Sequence, residues 1–292
     1  MSKKVITSYK AFDKNMQCRG FQYEVGKEYE MDGEIKCCNR GFHACKSPIE
    51  VWNYYDMLNS RYAEVEQSGK IEKEENSTKV CSSHIKIKAE LKLADIINIG
   101  VEWLKDITSP SKVKADGVLN DNGDRRKQIC SSGDSAQIGS SGNSAQIGSS
   151  GDSAQIGSSG NSAQIGSSGD SAKIGSSGYY AQIGSSGNYA KIGSSGNSAK
   201  ICSSGDYAKI GSSGNSAQID STGEDSVIMC AGNSSIAKAK VGSWITLAEW
   251  KWSYEKKRDV PVYVKTEYVD GENIKADTWY QLKNRKFVEV TE

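Results

Sequence analysis

The sequence predicts a mainly β protein built around a β-solenoid, with a small α+β domain before it and a small β domain after it. A nine-residue phrase typified by SSGDSAQIG recurs between Ile129 and Cys230, and isoleucine returns at every ninth position from Ile129 to Ile228. Short segments with strand-like composition lie on both sides of this repeat. A fixed period of this kind indicates stacked identical units rather than one globular core.

Each repeat predicts one short strand. The alanine and the isoleucine of a unit lie two residues apart, so both face one side of a strand, and Gln or Lys faces the other side. Because both inward side chains are small, the repeat favours a thin coil with two strands and 18 residues per turn. We expect the Gly-Ser-Ser-Gly segment to form the corner, with glycine in the left-handed backbone region and serine hydroxyls bonded to turn backbone groups.

The residue after each corner glycine supports the two-strand coil. Its early alternation between Asp and Asn has a period of 18, and this places the aspartates on one face and the asparagines on the other: Asp134, Asp152, Asp170 and Asp206 against Asn143, Asn161, Asn197 and Asn215. A three-sided coil, which would mix the two sets, is the second possibility. Duplication of an 18-residue unit would leave the same trace without two-sided coils.

Lysine and tyrosine follow the same parity. Lys173, Lys191 and Lys209 lie 18 residues apart, and Tyr189 and Tyr207 each precede a lysine by two residues. In a two-strand coil these five residues, termed the lysine–tyrosine patch, share three neighbouring turns. Aromatic and cationic side chains on a rigid sheet are typical of a contact surface, so we predict that the patch binds a partner. The alternative is that the lysines offset the stacked aspartates and the tyrosines cover the column.

Charge and composition disfavour several classes of function. The chain carries 37 Lys and Arg against 36 Asp and Glu, so direct binding to nucleic acid is not indicated. Residues 129–232 hold four basic and seven acidic residues, too few for a solenoid that mimics DNA. The adjacent Gly and Asp depart from the calcium β-roll motif, and a single threonine, Thr222, departs from the threonine ranks of ice-binding solenoids.

The chain is expected to reside in the cytoplasm. It opens with the polar segment MSKKVITSYKAFDKN, which has no secretory apolar region, and no stretch approaches the ~18–20 apolar residues of a membrane span. Its eight cysteines are scattered, which fits a reducing compartment.

Residues 1–107 predict the α+β domain, and a linker with an N-terminal cap follows at 108–128. The strand-like runs are VITSYKAF, GFQYEVGKEYE, RYAEVEQSG and HIKIKAELKL. Ser47, Pro48 and Glu50 predict the start of a helix with a capping box, with Ile49, Trp52 and Tyr55 on one face. A second helix is expected over Leu93–Leu104, with Ile96, Ile97, Val101 and Leu104 as its apolar stripe.

Cysteine and histidine cluster in this domain at Cys18, Cys37, Cys38, His43 and Cys45. Zinc sites need thiolate and imidazole ligands in tetrahedral arrangement, usually from CxxC pairs, and no such pair is present. Adjacent Cys37 and Cys38 would point to opposite faces of a strand. We therefore prefer buried free thiols and predict no metal.

The stretch GFHACKSPIEVWNYY…RYAEVE is similar to ADP-ribosyltransferase-like folds, which place polar groups from successive strands around a nicotinamide nucleotide. That resemblance gives His43, Tyr55 and Glu66 as candidate catalytic residues. The structural alternative is a partly buried histidine and a solvated carboxylate. No catalytic set stands out from the residues themselves, and no cofactor is predicted.

Residues 233–292 predict a terminal cap followed by the small β domain. GSWITLAEWKW, VPVYVKTEYV and TWYQLKNRKFVEV are strand-like, and DGEN and KNRK are turns. The repeat decays after Asp220, and AGNSSIAKAK is expected to lose its register. Most of the aromatic residues are expected in the core, because a domain of about 50 residues needs aromatic area: Trp244, Trp250, Trp252, Tyr254, Tyr263, Tyr268, Trp279 and Tyr280.

The phrases SYKAFDKNMQCRGFQYEVGKEYE, NRGFHACKSPIEVWNYY, GSWITLAEW and YVDGENIKADTWYQLKNRKFVEV flank the nonapeptide run. In this combination the chain resembles a family of largely uncharacterised phage, prophage and bacterial proteins, and the resemblance covers nearly its whole length. The resemblance implies an accessory protein in the bacterial cytoplasm and brings no established activity.

We therefore expect a non-enzymatic binding protein whose partner is a protein or ribonucleoprotein of the bacterial host, including an antiviral defence complex, with no membrane association. Flat solenoid faces often pair, so a homodimer is also expected. One alternative is a nucleotide-binding or ADP-ribosyltransferase-like enzyme in the N-terminal domain. The other is a structural protein of the virion or cell surface.

Overall fold

A computed structural model describes residues 5–74, 77–108, 118–121 and 127–290. The chain divides into two compact units, Met1–Trp103 and Leu104–Glu292. Both are built mainly from β-strands, so the predicted fold class is confirmed. No helix in the described ranges is both long and apolar enough to cross a membrane. Most of the linker predicted over 108–128 lies outside the described residues.

The first unit is a β-sheet that closes on itself. Its strands are β1 Ile6–Phe12, β2 Gln17–Cys18, β3 Phe21–Gln22, β4 Glu28–Glu30, β5 Phe42–Cys45, β6 Arg61–Lys73 and β7 Lys79–Leu91. Strands β1, β5, β6 and β7 each pair antiparallel with two others of this group, and β4 adds to β7. Apolar side chains from alternate positions fill the interior, including Phe12, Phe42, Val65 and Ile85.

The predicted second helix is confirmed as α1, Leu93–Thr108. The four residues of its predicted apolar stripe are all buried. A helix with one apolar face gains most of its stability by burying that face, so this element follows directly from the 3.6-residue pattern.

The predicted first helix is instead a short 3-10 helix, Ile49–Asn53, that starts after Pro48 without a side-chain cap. Glu50 does not close a capping box. Its buried carboxylate accepts hydrogen bonds from Ser77 Oγ at 2.7 Å and from the Thr78 N–H at 3.1 Å. A partner from the far side of the sheet has therefore taken the group that the sequence assigned to a local cap.

The second unit contains the β-solenoid, with two strands and 18 residues per coil. Lys173 pairs with Lys191 on the next coil, for example, and the even-numbered and odd-numbered strands form two separate parallel sheets. We term these the even sheet and the odd sheet. The strands are β8 Val118–Asp121, β9 Gln128–Ser131, β10 Gln137–Ser140, β11 Gln146–Ser149, β12 Gln155–Ser158, β13 Gln164–Ser167, β14 Lys173–Ser176, β15 Gln182–Ser185, β16 Lys191–Ser194, β17 Lys200–Ser203, β18 Lys209–Ser212, β19 Gln218–Ser221, β20 Val227–Cys230 and β21 Ile236–Ala239.

Inside the coil, the alanine and isoleucine columns are buried as predicted. The first serine after each strand glycine also points inward. The hydroxyls of Ser131 and Ser140 accept the N–H groups of Gly133 and Gly142, each at 3.3 Å. These bonds confirm the expected use of serine to satisfy turn backbone groups.

The corner differs from the prediction in the residue that adopts the left-handed conformation. It is the Ser or Tyr before each alanine, with φ of 57° at both Ser171 and Tyr189, and not the glycine. The corner glycine is needed for a different reason. A Cβ on Gly178 would lie closer than 3.0 Å to the carbonyl oxygen of Gly160 on the previous coil. Two stacked backbones therefore exclude any side chain at this position.

The Asp and Asn residues after the corner glycines form ladders along the two narrow edges of the coil, and not on its faces. Asp152 Oδ1 accepts the N–H of Asp170 at 2.8 Å on one edge, and Asn143 Oδ1 accepts the N–H of Asn161 at 2.9 Å on the other. The 18-residue alternation thus marks two edges. Each ladder satisfies corner N–H groups that would otherwise depend on water.

Tyr179 interrupts the asparagine ladder, so Tyr179→Asn should stabilise the solenoid. The Tyr179 N–H donates to Asn161 Oδ1 at 2.9 Å, but the phenol ring offers no equivalent acceptor to Asn197 on the next coil. We expect Tyr179→Asn to raise the free energy of unfolding by about 0.5–1.5 kcal/mol in urea denaturation. Tyr179→Ala supplies no acceptor and should give no gain. An equal gain from both variants would show that loss of the ring, and not the ladder, is responsible.

The repeat register continues past Gly232, so the expectation that AGNSSIAKAK loses it is wrong. Strand β21 pairs with β19 with Ile236 opposite Gln218, the usual 18-residue step. The predicted C-terminal strands are then present as β22 Trp244–Ser253, β23 Arg258–Tyr268, β24 Tyr280–Lys283 and β25 Lys286–Glu289. Strands β22 and β23 extend the even sheet, and β24 and β25 extend the odd sheet.

Most of the C-terminal aromatic residues are exposed, contrary to the expectation. Trp279 and Tyr280 are buried, whereas five others are exposed: Trp244, Trp252, Tyr254, Tyr263 and Tyr268. The physical reason is that these strands extend existing sheets and do not have to enclose a core of their own.

Candidate functional site

The two faces of the solenoid differ in exposure. On the odd sheet the outward-facing Gln146 and Gln164 are buried, and the side chain of Leu104 occupies the space that a Cβ on Gly148 would need. On the even sheet the equivalent residues from Gln137 to Lys209 are exposed. The even sheet is therefore the solenoid face available to a partner.

A row of glycines runs along the middle of the even sheet. A Cβ at Gly157, Gly175, Gly193 or Gly211 would meet no atom within 4 Å. The glutamine and lysine side chains rise beside this row and form the wall of a shallow trough of about 590 Å³ that extends from Gln137 to Lys191. A partner can therefore approach the backbone of the sheet closely.

The lysines of the predicted patch form one continuous row. Lys173, Lys191 and Lys209 are directly opposed on β14, β16 and β18 and are all exposed. Strands of a sheet lie ~4.8 Å apart, and like charges directly opposite one another are destabilising. In the described part of the chain, no acidic side chain forms an ion pair with any of the three.

The neighbouring aspartates do not serve as counterions for this row. Asp170 Oδ1 accepts the Asn188 N–H at 2.7 Å, and Asp206 Oδ1 accepts the Glu224 N–H at 2.8 Å. The interpretation that the lysines offset stacked aspartates is therefore not supported by direct pairing. The lysine row costs the fold some stability without a visible structural return.

Two tyrosines stack at the edge of the lysine row. The rings of Tyr189 and Tyr207 have centroids 5.0 Å apart and planes inclined by 8°, and they are 55% and 46% exposed. Both residues have positive φ, which bulky side chains rarely adopt and which serine occupies in most other coils. Tyr179 and Tyr180 are exposed on the opposite edge. The structure thus brings all five patch residues together, in a position where they add nothing to the core.

The first unit holds a cavity of about 490 Å³, and it contains two of the three candidate catalytic residues. His43 and Tyr55 line it, together with Cys18, Cys38 and Cys45. Glu66 does not line it, and its carboxylate pairs with Lys88 Nζ at 2.9 Å on the outer surface of the sheet. The arrangement expected from the transferase resemblance is therefore not assembled.

His43 has a structural role in the wall of this cavity. Its Nε2 accepts the N–H of Cys38 at 3.0 Å, which leaves Nδ1–H to bond the Gly41 backbone. Burial, reinforced by the charges of Lys10 and Lys79, lowers the pKa of His43 to about 4. At neutral pH the ring is uncharged with both nitrogens engaged, which makes it unsuited to general-base catalysis or to metal ligation in this conformation.

The cysteine cluster is dispersed around the cavity. Cys37 and Cys38 lie in the turn closed by the Lys36–Arg40 bridge and not in a strand. Cys18 Sγ lies 2.6 Å from the Tyr55 hydroxyl, and Cys38 Sγ accepts a hydrogen bond from Lys79 Nζ at 2.9 Å. Over residues 5–74, 77–108, 118–121 and 127–290, no three His, Cys, Asp or Glu side chains are placed to hold a metal ion.

Lys10 is the residue of this cavity that sequence reasoning missed. It is 4% exposed, and its Nζ donates to the His43 carbonyl at 3.0 Å and to Cys18 Sγ at 3.4 Å. The same nitrogen lies 5.4–5.9 Å from the ring centroids of Phe12, Tyr23 and Tyr55. Burial lowers the pKa of Lys10 because the charged amine is removed from water. A lysine inside the apolar run SYKAF was the available signal.

Residues 6–99 match the family described as Domain of unknown function (DUF7666). The matched range includes the closed sheet and its cavity and excludes the solenoid. No curated protein and no solved structure matches the chain. The family relationship therefore assigns no activity to the cavity.

Proposed function

We propose that this protein is a non-enzymatic binding protein whose even sheet docks on an acidic surface of a protein or ribonucleoprotein partner. The observation that carries the proposal is the row of Lys173, Lys191 and Lys209, without acidic partners, beside the exposed Tyr189–Tyr207 stack. A partner carboxylate or phosphate would supply the counter-charge that the fold withholds from these lysines.

The scaffold suits this role. Consecutive coils are joined by backbone hydrogen bonds along both sheets and by the corner ladders, so the patch needs little ordering when it binds. Tyrosine contributes strongly to interfaces because it combines a large apolar ring with a hydroxyl and has few rotatable bonds. The glycine trough allows a partner backbone or loop to approach the sheet.

The resemblance to phage and prophage proteins supports a bacterial cytoplasmic setting and a host-defence complex as the partner. Inhibition by occupying a surface needs no catalytic group, which agrees with the structural role of His43 and the remote position of Glu66. In this proposal the repeat serves as a rigid docking face of adjustable length.

Neutralising the lysine row should remove partner capture. We expect the triple variant Lys173→Gln, Lys191→Gln and Lys209→Gln to recover at least tenfold less partner from host lysate than the natural protein, measured by quantitative mass spectrometry. The matched control replaces three exposed lysines elsewhere, Lys256, Lys257 and Lys283, and should recover the natural amount. Equal recovery by both triple variants would reject the even sheet as the docking face.

A further inference from the structure

The cavity of the first unit contains a buried cation without a counterion. Lys10 Nζ contacts a thiol, a carbonyl and three aromatic rings, and within the described residues no carboxylate reaches it. Buried charges in proteins are normally paired, and an amine left alone in such a place is held at a cost to stability. An anion that enters the cavity would relieve this cost.

The remaining polar lining has the same sign. Arg19, Arg40 and Lys79 line the cavity, and none of its lining residues is an aspartate or glutamate. Arg40 donates to the Asp32 carbonyl at 2.7 Å, and Lys79 lies 3.4 Å from Glu74. Arg19 is exposed and forms no ion pair in the described part of the chain. Lys10 inside the cavity and Arg19 at its mouth are therefore the two cations available to a ligand.

The walls are aromatic and the volume suits a small molecule. Phe21 is 45% exposed, and its ring lies edge-on to Tyr23 and Phe42 at centroid distances of 4.8 and 6.2 Å. Aromatic side chains placed in this way stack with nucleobases. A volume of about 490 Å³ falls within the ~300–1,000 Å³ typical of ligand sites.

We propose that this cavity binds a nucleoside phosphate, with the phosphate at Lys10 and Arg19 and the base against Phe21. The assignment is to binding alone, because His43 is engaged with the backbone and Glu66 lies outside the cavity. It is independent of the docking role of the even sheet and gives the first unit a separate ligand.

The test is calorimetric titration of the full chain with AMP, GMP, CMP and UMP, and with adenosine and inorganic phosphate as the separated parts. At least one monophosphate should bind saturably, and adenosine and phosphate should each bind at least tenfold more weakly than AMP if AMP is that ligand, or than the preferred monophosphate otherwise. Lys10→Met should weaken this binding at least tenfold. Because methionine fills a similar volume without a charge, this variant should melt at the same temperature or higher.

The matched control is Lys27→Gln, an exposed lysine of the same unit that does not line the cavity, and it should bind as the natural protein does. Arg19→Gln, at the exposed mouth, should weaken binding at least threefold and decides the matter if Lys10→Met fails to fold. The proposal is overturned if no monophosphate binds, if adenosine binds as tightly as AMP, or if folded Lys10→Met and Arg19→Gln both bind as the natural protein does.

Discussion

Replacing Gly178 by alanine should destabilise the solenoid by more than about 3 kcal/mol, a loss at the upper end of those caused by overpacking. The new Cβ would overlap the carbonyl oxygen of Gly160, which belongs to the backbone of the previous coil and is not the end of a flexible side chain. Neighbouring coils cannot move apart to relieve the overlap, because hydrogen bonds join them on both sides of the corner, including Ser177 N–H to the Ser158 carbonyl at 3.0 Å.

Gly175, three residues earlier, provides the matched control. A Cβ there points into the open trough and meets nothing within 4 Å, so Gly175→Ala should stabilise the protein slightly, by about 0–1 kcal/mol, through the unfolded state. Urea denaturation followed by circular dichroism measures both variants. If Gly178→Ala is tolerated as well as Gly175→Ala, the corner glycines do not stack as described.

Gln67→Leu should destabilise the first unit by about 3–4 kcal/mol, because it removes a buried hub of hydrogen bonds while keeping a similar volume. Gln67 is fully buried, its Oε1 accepts from Ser8 Oγ at 2.7 Å, and its Nε2 donates to the carbonyls of Phe42 at 2.8 Å and Val80 at 3.1 Å. Leucine would leave these groups on β1, β5 and β7 without partners and away from water.

Glu66→Leu is the control for Gln67→Leu, since Glu66 is the adjacent residue on β6 and faces the opposite side of the sheet. Its ion pair with Lys88 is partly exposed, so its loss should cost less than about 1 kcal/mol. Thermal and urea denaturation of the separate first transition measures both changes. A smaller effect at Gln67 than at Glu66 would contradict the assigned hydrogen-bond hub.

The solenoid could be predicted closely because each unit must solve the same packing problem. The 18-residue parity placed Lys173, Lys191 and Lys209 on one sheet, and the register confirms that placement. The corner was harder to predict, since glycine serves equally for a positive φ and for a close approach of two backbones. Ser171 and Tyr189 take the left-handed conformation, and their identities give no indication of it.

The first unit was less predictable because its decisive contacts are long-range. Glu50 fits a local capping box by sequence, but Ser77 and Thr78 bring it stronger partners through the fold. His43 looked available for catalysis because sequence cannot show that its ring is bonded to Cys38. The isolation of Lys10 follows only from the closure of the sheet around it.

The docking role of the lysine–tyrosine patch is tested most directly by site-specific photo-crosslinking in host cells. A benzophenone amino acid is placed at Tyr189, within the patch, or at Tyr179, an equally exposed tyrosine on the opposite edge. The proposal predicts a discrete covalent adduct from position 189 that disappears when Lys173, Lys191 and Lys209 are changed to glutamine, and no adduct from position 179. The same adduct from both positions, or none from position 189, would contradict it.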